Sequence, residues 1–87
     1  MYSFEFDPKK SESNLKKHGI DFVNAQLIWQ DTDFIEVQAK SDDEPRLLVV
    51  GMIGDRHWSA IITYRMDKIR IISVRRSRDA EVALYES

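Results

Sequence analysis

The sequence predicts an α+β domain in which an antiparallel β-sheet is covered by two N-terminal helices and followed by a short C-terminal helix. Helical signals are confined to the residues before 31 and after 76. The segment between them consists of short apolar runs separated by tight turns, which is typical of consecutive antiparallel strands. Because helices and strands are segregated along the chain, the class is α+β, with the order β-α-α-β-β-β-β-α. The 87 residues correspond to a single domain, 1–87.

The first elements are a short strand and a helix with clear end signals. Residues 2–6 alternate aromatic and polar side chains, which predicts a strand. Asp7 suits the N-cap because its carboxylate can accept free backbone amide protons, and a proline follows at the first helical position. The helix is predicted over 8–18 and ends before Gly19. Leu15 is its only large apolar residue, so something other than core burial must account for its composition.

A second helix and four strands follow. Asp21 predicts a new N-cap, and apolar residues recur at helical spacing up to about Trp29, which predicts an amphipathic helix packed on the sheet. The predicted strands are 34–39, 46–53, 57–65 and 68–75. They are joined by an acidic turn at 41–44 and by tight turns at 54–56 and 66–67.

The last helix is predicted over 77–86 and is small. Its apolar side is expected to consist of Ala80, Ala83 and Leu84. The last three strands are apolar on both faces in their middle, whereas the strands of a half-solvated sheet would alternate apolar and polar residues. Both faces of the sheet therefore need a cover. Because so short a helix is not expected to cover the second face alone, the pattern predicts a protein partner.

Charge is distributed unevenly along the chain, although the net charge is only −2. Residues 56–78 contain seven arginines and lysines and one acid, whereas residues 31–44 contain six acids and one lysine. The acidic composition therefore hides a basic region that could attract a polyanion.

Several classes of protein are excluded or disfavoured by composition. The absence of cysteine excludes disulfides and thiolate metal sites, and neither His18 nor His57 has a histidine partner at i+4, so no metal and no cofactor is predicted. The N-terminus lacks the pattern of a signal peptide and no apolar run has the length of a membrane span. We therefore expect a cytoplasmic protein that does not contact a membrane.

The first candidate site is the stretch NLKKHG, residues 14–19. Asn14, Lys17 and His18 are separated by three and four positions and share one face of the predicted helix. A histidine and a lysine in this position could act on a substrate. They could equally complement the negative end of the helix dipole and cap the last carbonyl groups.

The second candidate site is formed by the cations of the last two strands. Since side chains alternate along a strand, Arg75 and Arg76 are expected on opposite faces of the sheet, with Arg70 on the face of Arg76 and Arg65 brought close by the hairpin. Guanidinium groups bind phosphate bidentately and stay charged, so a phosphate site is one interpretation. A solvated surface, or one paired with the acids of 31–44, is the other.

Five features of the sequence, which together run almost from end to end, form one pattern: FEFDPKKSESNLKKHGIDF (4–22), Ala25, the E-P-R of 44–46 with Gly51 after it, TYR (63–65) and IRIISVRRS (69–77). In these features the chain resembles the BrnT family of small toxins. The closing helix departs from the family pattern, because Glu81 and Tyr85 are present but Val82 stands where the family often has arginine.

The resemblance implies a RelE-like fold and a ribonuclease toxin of a type II toxin–antitoxin system, which inhibits translation by cutting RNA. It also implies a BrnA-like antitoxin with a ribbon-helix-helix domain, which neutralises the toxin and through which the complex binds operator DNA. A catalytically weak or inactive antitoxin-binding module that takes part in autorepression of the operon is the alternative. Growth arrest when the chain is expressed without its antitoxin distinguishes the two functions.

The expected chemistry needs no metal because RNA carries its own nucleophile, the 2′-hydroxyl group. Histidine suits general acid or base catalysis, and fixed cations stabilise the charge that develops on the phosphate oxygens. The residues expected to be catalytic are His18, Lys17, Arg65, Arg75 and Arg76. Those expected to bind RNA are Asn14, Arg46, Arg70 and Arg78.

Overall fold

A computed structural model describes residues 1–40 and 44–87 of the chain, and it confirms the predicted order of elements. The predicted acidic turn falls largely on 41–43, outside the described residues. The elements are β1 (Phe4–Glu5), α1 (Pro8–His18), α2 (Phe22–Ala25), a 3₁₀ helix (Gln26–Gln30), β2 (Ile35–Ala39), β3 (Arg46–Ile53), β4 (Arg56–Arg65), β5 (Lys68–Arg76) and α3 (Asp79–Glu86).

The strands form one sheet in the order β1-β5-β4-β3-β2. Strands β2 to β5 are antiparallel neighbours joined by hairpins, as predicted. Strand β1, by contrast, pairs with β5 in parallel, through Phe4 with Ile69 and Glu5 with Arg70. The sheet is therefore mixed at this edge, because the two helices carry the chain away from β1 before the hairpins begin.

One face of the sheet, which we call the helical face, packs against α1, α2 and the 3₁₀ helix. Phe22 and Ile28 from the helices and Val49, Ile62 and Ile71 from the sheet are almost completely buried there. The approach is so close at one point that a Cβ atom on Gly51 would lie 2.8 Å from Cγ2 of Ile28. A glycine in the middle of β3 therefore allows the 3₁₀ helix to reach the sheet.

The predicted amphipathic helix is split into two parts, which corrects the prediction of one continuous helix to Trp29. Asp21 caps α2 by accepting a hydrogen bond from the backbone amide of Asn24, at 2.8 Å. The chain then tightens into the 3₁₀ helix after Ala25. In a 3₁₀ helix, residues three apart lie above one another, so Ala25 and Ile28 are directed at the sheet together, and both are fully buried.

Helix α1 has the predicted bounds but docks through polar groups. Asp7 accepts a hydrogen bond from the amide of Lys9, and Gly19 ends the helix with a φ angle of 80°. The two buried residues of α1 are Ser11 and Asn14, whereas its leucine is exposed. Ser11 accepts a hydrogen bond from the amide of Phe22 through its hydroxyl oxygen, at 2.9 Å. Polar docking therefore accounts for the missing hydrophobic stripe.

Helix α3 packs on the opposite face of the sheet, which we call the α3 face. The prediction that Ala80, Ala83 and Leu84 form its packed side is wrong, because all three are exposed. Glu81, Val82 and Tyr85 are instead the partly buried residues of the helix. The sheet is thus contacted by a side of α3 that is largely polar.

Coverage of the α3 face is uneven. Near α3, Val50 and Ser59 are 0% and 1% exposed. Further along the same face, Leu48, Ile61 and Ile72 are only half-buried. The prediction that α3 covers part of this face is consistent with the structure.

Within the two described stretches, no helix has both the length and the apolar character required to cross a membrane.

Candidate nucleic-acid interface

A bulge in β5 decides which arginines share a face of the sheet. Ile61 pairs with Ser73 and Ile62 with Ile71, so Ile72 has no partner on β4. The extra residue reverses the alternation of side chains beyond it. Arg70 therefore shares the α3 face with Arg75, and the prediction that it shares a face with Arg76 is wrong.

Arg75 lies at the end of this face that α3 covers. Its Nη1 and Nη2 groups donate hydrogen bonds of 2.7 and 2.8 Å to the two carboxylate oxygens of Glu81. The side chains of Arg75 and Glu81 are only 25% and 14% exposed. This bidentate ion pair joins the last strand to the closing helix.

The same pair fixes the charge state of both groups. The hydrogen bonds from Arg75 lower the pKa of Glu81 to about 2, and those to Glu81 raise the pKa of Arg75 above its ordinary value. Glu81 also accepts hydrogen bonds from the hydroxyl group of Ser59, at 2.8 Å, and from the amide of Arg78, at 2.9 Å. The Ser59 and Ser77 hydroxyl oxygens lie 2.7 Å apart. Arg75 is therefore held by an anchored network.

The guanidinium of Arg75 keeps part of its hydrogen-bonding capacity. Nη1 donates one more hydrogen bond to the carbonyl oxygen of Arg76, at 3.2 Å. A guanidinium has five N–H groups, so three are engaged by these contacts. Among the residues described, no acceptor contacts Nε or the second hydrogen of Nη2. Those two donors could bind an anion while Glu81 holds the side chain.

A second group of cations lies at the far end of the α3 face. Arg70 donates a hydrogen bond of 3.0 Å to Glu5, and Arg65 lies 3.9 Å from the same carboxylate. Arg46 on β3 lies 3.7 Å from Glu44. These three arginines retain a net positive charge between them because they share two carboxylates.

The structure does not bring Arg65 and Arg75 to one point. On β4, the partner of Arg75 is Ser59, six residues before Arg65. At about 3.3 Å per residue the two arginines lie roughly 20 Å apart along the strand. Their guanidinium groups lie beside different carboxylates, Glu5 for Arg65 and Glu81 for Arg75, so the two arginines could contact one nucleic acid strand at separate phosphates.

Arg76 and Arg78 are exposed at the end of the sheet nearest α3. Because of the bulge, Arg76 is on the helical face, where its guanidinium carbon lies 5.6 Å from the centre of the Trp58 ring. Arg78 precedes α3, and its side chain is free of ion pairs within the described residues. Trp58 was not among the predicted site residues, since an isolated tryptophan in a strand gives no functional signal.

The three predicted residues of α1 have different environments. Asn14 is buried, donates hydrogen bonds to the carbonyl oxygens of Ile20 and Val74 at 2.8 and 2.9 Å, and accepts one from the amide of Val74 at 3.1 Å. Its side chain therefore joins α1 to β5. His18 is half-buried and Lys17 is exposed, one turn after Asn14 and on the helical side of the sheet.

The second histidine lies on the α3 face, close to Arg75 in the sheet. His57 is two residues before Ser59, the partner of Arg75. Its Nε2 atom lies 2.8 Å from a carboxylate oxygen of Glu86, and its ring meets the edge of Tyr85. No sequence pattern identifies this group, because its members come from β4 and from the far end of α3.

Tyr85 connects this cluster to the start of β2. Its hydroxyl group donates a hydrogen bond of 2.6 Å to Asp31, which raises the pKa of Tyr85 to about 12. Burial acts to raise the pKa of Asp31, but hydrogen bonds from Tyr85 and from the amides of Met52 and Asp33 lower it overall. Helix α3 is thus fixed at both ends, by Glu81 and by Tyr85.

The alternative that the basic region is paired with the acids of 31–44 receives little support from the residues described. Over residues 31–40 and Glu44, the one ion pair is that of Glu44 with Arg46, which lies outside the basic region. The basic region pairs instead with Glu5 and Glu81.

The fold and the sheet face define a small α+β protein with a line of arginines on a partly covered sheet, an arrangement suited to a polyanionic ligand. Comparison with protein families agrees with this class and makes it specific. Residues 6–81 match the family described as "Ribonuclease toxin, BrnT, of type II toxin-antitoxin system". The chain belongs to this family of ribonuclease toxins, which implies an antitoxin partner. No curated protein matches the chain.

Proposed function

We propose that this chain is an endoribonuclease toxin that cuts RNA without a metal and thereby inhibits translation. The observation that carries the proposal is the line formed by Arg65, Arg70 and Arg75 on the α3 face, aligned by the bulge at Ile72. A ribbon-helix-helix antitoxin would neutralise the toxin and carry the complex to operator DNA. Membership of the toxin family supports both statements.

The spacing of the arginines supports a bound single strand. On β4 the partners of Arg70 and Arg75 are Thr63 and Ser59, four residues apart, which corresponds to about 13 Å. The two guanidinium groups are held by different carboxylates, Glu5 and Glu81, so we expect each arginine to contact a different phosphate of the same strand. The half-buried Ile61, which lies between them, would face the sugars or bases.

Arg75 is suited to the phosphate at which the reaction takes place. Its orientation is fixed by Glu81, so little reorganisation is needed when charge develops on the phosphate oxygens. The two free N–H donors would then bind those oxygens. Further exposed positive charge would come from Arg76 and Arg78, at the same end of β5 as Arg75, and from Lys17 on the helical side of the sheet.

The proton transfers require an acid and a base. His18 is the residue proposed from the sequence, and His57 is a second candidate because it lies on the same face as Arg75. In either case the base takes the proton of the 2′-hydroxyl group, that oxygen attacks the phosphorus, and the acid protonates the departing 5′-oxygen. Single histidine variants separate the two candidates.

The test is to induce the chain alone and to measure growth arrest and new RNA ends, beside His18→Gln, His57→Gln and Arg75→Lys variants shown to be folded. Arg75→Lys is preferred to Arg75→Ala because alanine would leave Glu81 unpaired. Purified chain is then assayed on RNA with and without a chelator. Cleavage that persists with the chelator and falls in Arg75→Lys is the expected result.

An antitoxin-binding module without catalysis is the second candidate function. It is favoured by one observation, namely that Glu81 neutralises the charge of Arg75. Normal growth and intact RNA with a folded, well-expressed chain would overturn the ribonuclease proposal and favour this function. Arrest with new RNA ends would exclude it.

A further inference from the structure

A groove on the helical side of the molecule exposes an unusual amount of apolar surface. It lies between the N-terminal segment, the 3₁₀ helix and the start of β2. Tyr2, Val23 and Leu27 line it and are 49%, 61% and 48% exposed. Together with Met1, they are four of the eight large apolar residues exposed in the described parts of the chain. Such a concentration marks an interaction surface.

The side chains of the groove contribute negative charge only. Asp31 is the one charged side chain among those that line it, and no lysine or arginine of the described residues does so. Asp33, two residues further on, is exposed, and its side chain makes no ion pair within the described residues. A partner with apolar side chains and a neighbouring cation would therefore match both the shape and the charge.

The apolar surface continues toward α3. A second depression shares Leu27, Gln30 and Asp31 with the groove and extends it to Met52 and Ile53 on the β3–β4 hairpin. Asp31 is also the acceptor of the Tyr85 hydroxyl group. A segment that followed the surface would start at the N-terminal strand and end beside the closing helix.

We propose that this groove is where the cognate antitoxin docks, through an apolar segment flanked by lysine or arginine. The inference rests on the proposed function in one respect, since it takes the partner to be an antitoxin. Val23 and Leu27, four residues apart, form a ridge against which a helix or an extended segment can pack. The groove lies on the helical side, so docking there would leave the arginines of the α3 face free to be covered by another part of the same partner.

A second copy of the chain fits the groove less well. In a two-fold symmetric contact both copies use the same patch, so the interface would contain the Asp31 and Asp33 carboxylates of both copies and no lysine or arginine from the described lining. Like charges brought together without a cation oppose association. A basic partner avoids this cost.

The experiment uses the full chain and the purified antitoxin encoded beside its gene, with affinity measured by calorimetry. Leu27→Ser removes an apolar contact of the groove, and Leu15→Ser is the matched control because it is 46% exposed on α1, outside the groove. We expect about tenfold or greater loss of affinity for Leu27→Ser and no change for Leu15→Ser. Asp33→Asn should weaken binding at low salt and have little effect at high salt.

Equal affinity of Leu27→Ser and wild type for the antitoxin would overturn the proposal. The proposal would also be overturned if the wild type self-associates, Leu27→Ser abolishes this self-association, and the variant binds the antitoxin as tightly as the wild type does. RNA cleavage by the variants is measured in parallel. If the wild type cuts no RNA but the affinity difference is found, the proposed activity fails while the docking surface stands. If cleavage is normal and the affinity difference is absent, the docking surface alone fails.

Discussion

Arg75 and Glu81 are joined by two parallel hydrogen bonds of 2.7 and 2.8 Å across the junction of β5 and α3. The hydroxyl group of Ser59 and the amide of Arg78 also donate hydrogen bonds to Glu81. The Glu81 carboxylate therefore accepts hydrogen bonds from β5, from β4 and from the loop before α3. The consequence is that Arg75, which we propose for the reacting phosphate, and the packing of the closing helix depend on one side chain. Stability and the site are therefore coupled.

The first prediction concerns stability in acid. With its pKa lowered to about 2 from the ordinary 4.5, Glu81 contributes stability that is fully present above pH 4.5 and lost as the pH falls through 2. Glu81→Gln should lower the free energy of unfolding by about 1–3 kcal/mol at neutral pH. The deficit should shrink as the pH falls below 4.5. Urea unfolding at several pH values measures it.

Comparing the wild type with Glu81→Gln controls for the other carboxylates, because both proteins contain them. A deficit that stays constant down to the lowest pH would mean that Glu81 is not the charged partner described here. Glu81→Asp, which keeps the charge but shortens the side chain, should lie between the two.

The second prediction concerns Asn14. Its amide donates to two buried carbonyl oxygens, so Asn14→Asp would place a carboxylate against the carbonyl oxygens of Ile20 and Val74. We expect a loss of about 3 kcal/mol or more in the free energy of unfolding, with a smaller loss for Asn14→Ala, which removes the donors without adding charge. Thermal and urea unfolding are the measurements. Ser13→Ala, at an exposed position of the same helix, should change stability by less than about 0.5 kcal/mol.

Asn14 also shows what sequence reasoning could and could not supply. The bounds of α1 followed from its caps, because those are local contacts between residues close in sequence. The partners of the Asn14 side chain are three backbone atoms, two of them in Val74, sixty residues away, and backbone atoms leave no pattern of residue types. The structural role of Asn14 therefore could not be predicted from the sequence.

The arginines illustrate a different limit. Strand β5 itself was predicted to within one residue, but the faces of its arginines were counted from strict alternation. The unpaired Ile72 breaks that count, and a bulge of one residue has no reliable signal in an apolar run. Similarly, Glu81 was not expected to face the sheet, because its burial depends on a cation six residues earlier in the chain.

The third prediction concerns the attachment of α3. Tyr85→Phe removes the hydrogen bond to Asp31 but keeps the aromatic ring against His57. We expect a loss of about 0.5–1.5 kcal/mol and faster amide exchange confined to α3, since the amides of Met52 and Asp33 still bind Asp31. Hydrogen exchange followed residue by residue measures this. Faster exchange in β3 instead would show that Tyr85 supports the sheet rather than the helix.

The fourth prediction tests the close approach at Gly51. A methyl group there would lie 2.8 Å from Cγ2 of Ile28, 3.2 Å from its carbonyl oxygen and 3.2 Å from Cβ of Phe34. All of these atoms belong to packed residues, so Gly51→Ala should cost about 1–3 kcal/mol through overpacking. Denaturant unfolding measures the loss. Unchanged stability would show that the 3₁₀ helix can move away from the sheet at no cost.

The last prediction concerns the contact of Arg70 with RNA. Each phosphate neutralised on a single strand contributes about 0.7 to the slope of log affinity against log salt concentration. If Arg70 binds a phosphate, Arg70→Ala should reduce the slope by about that amount and weaken binding similarly for different sequences. A 2′-O-methylated oligonucleotide, which lacks the nucleophile, allows binding to be measured without cleavage.

Arg56→Ala is the matched control for Arg70→Ala. Arg56 is exposed and pairs with Ile53 at the hairpin end of β4, on the helical face rather than the α3 face. Arg56→Ala removes the same charge from the protein as Arg70→Ala does. A general effect of net charge would therefore change the slope of log affinity against log salt concentration equally in both variants. Equal slopes for the two variants would contradict a strand of RNA on the α3 face, even if both bind more weakly than the wild type. A reduced slope for Arg70→Ala alone would support contact at that face, because the charge of Glu5 is still met by Arg65 in the variant.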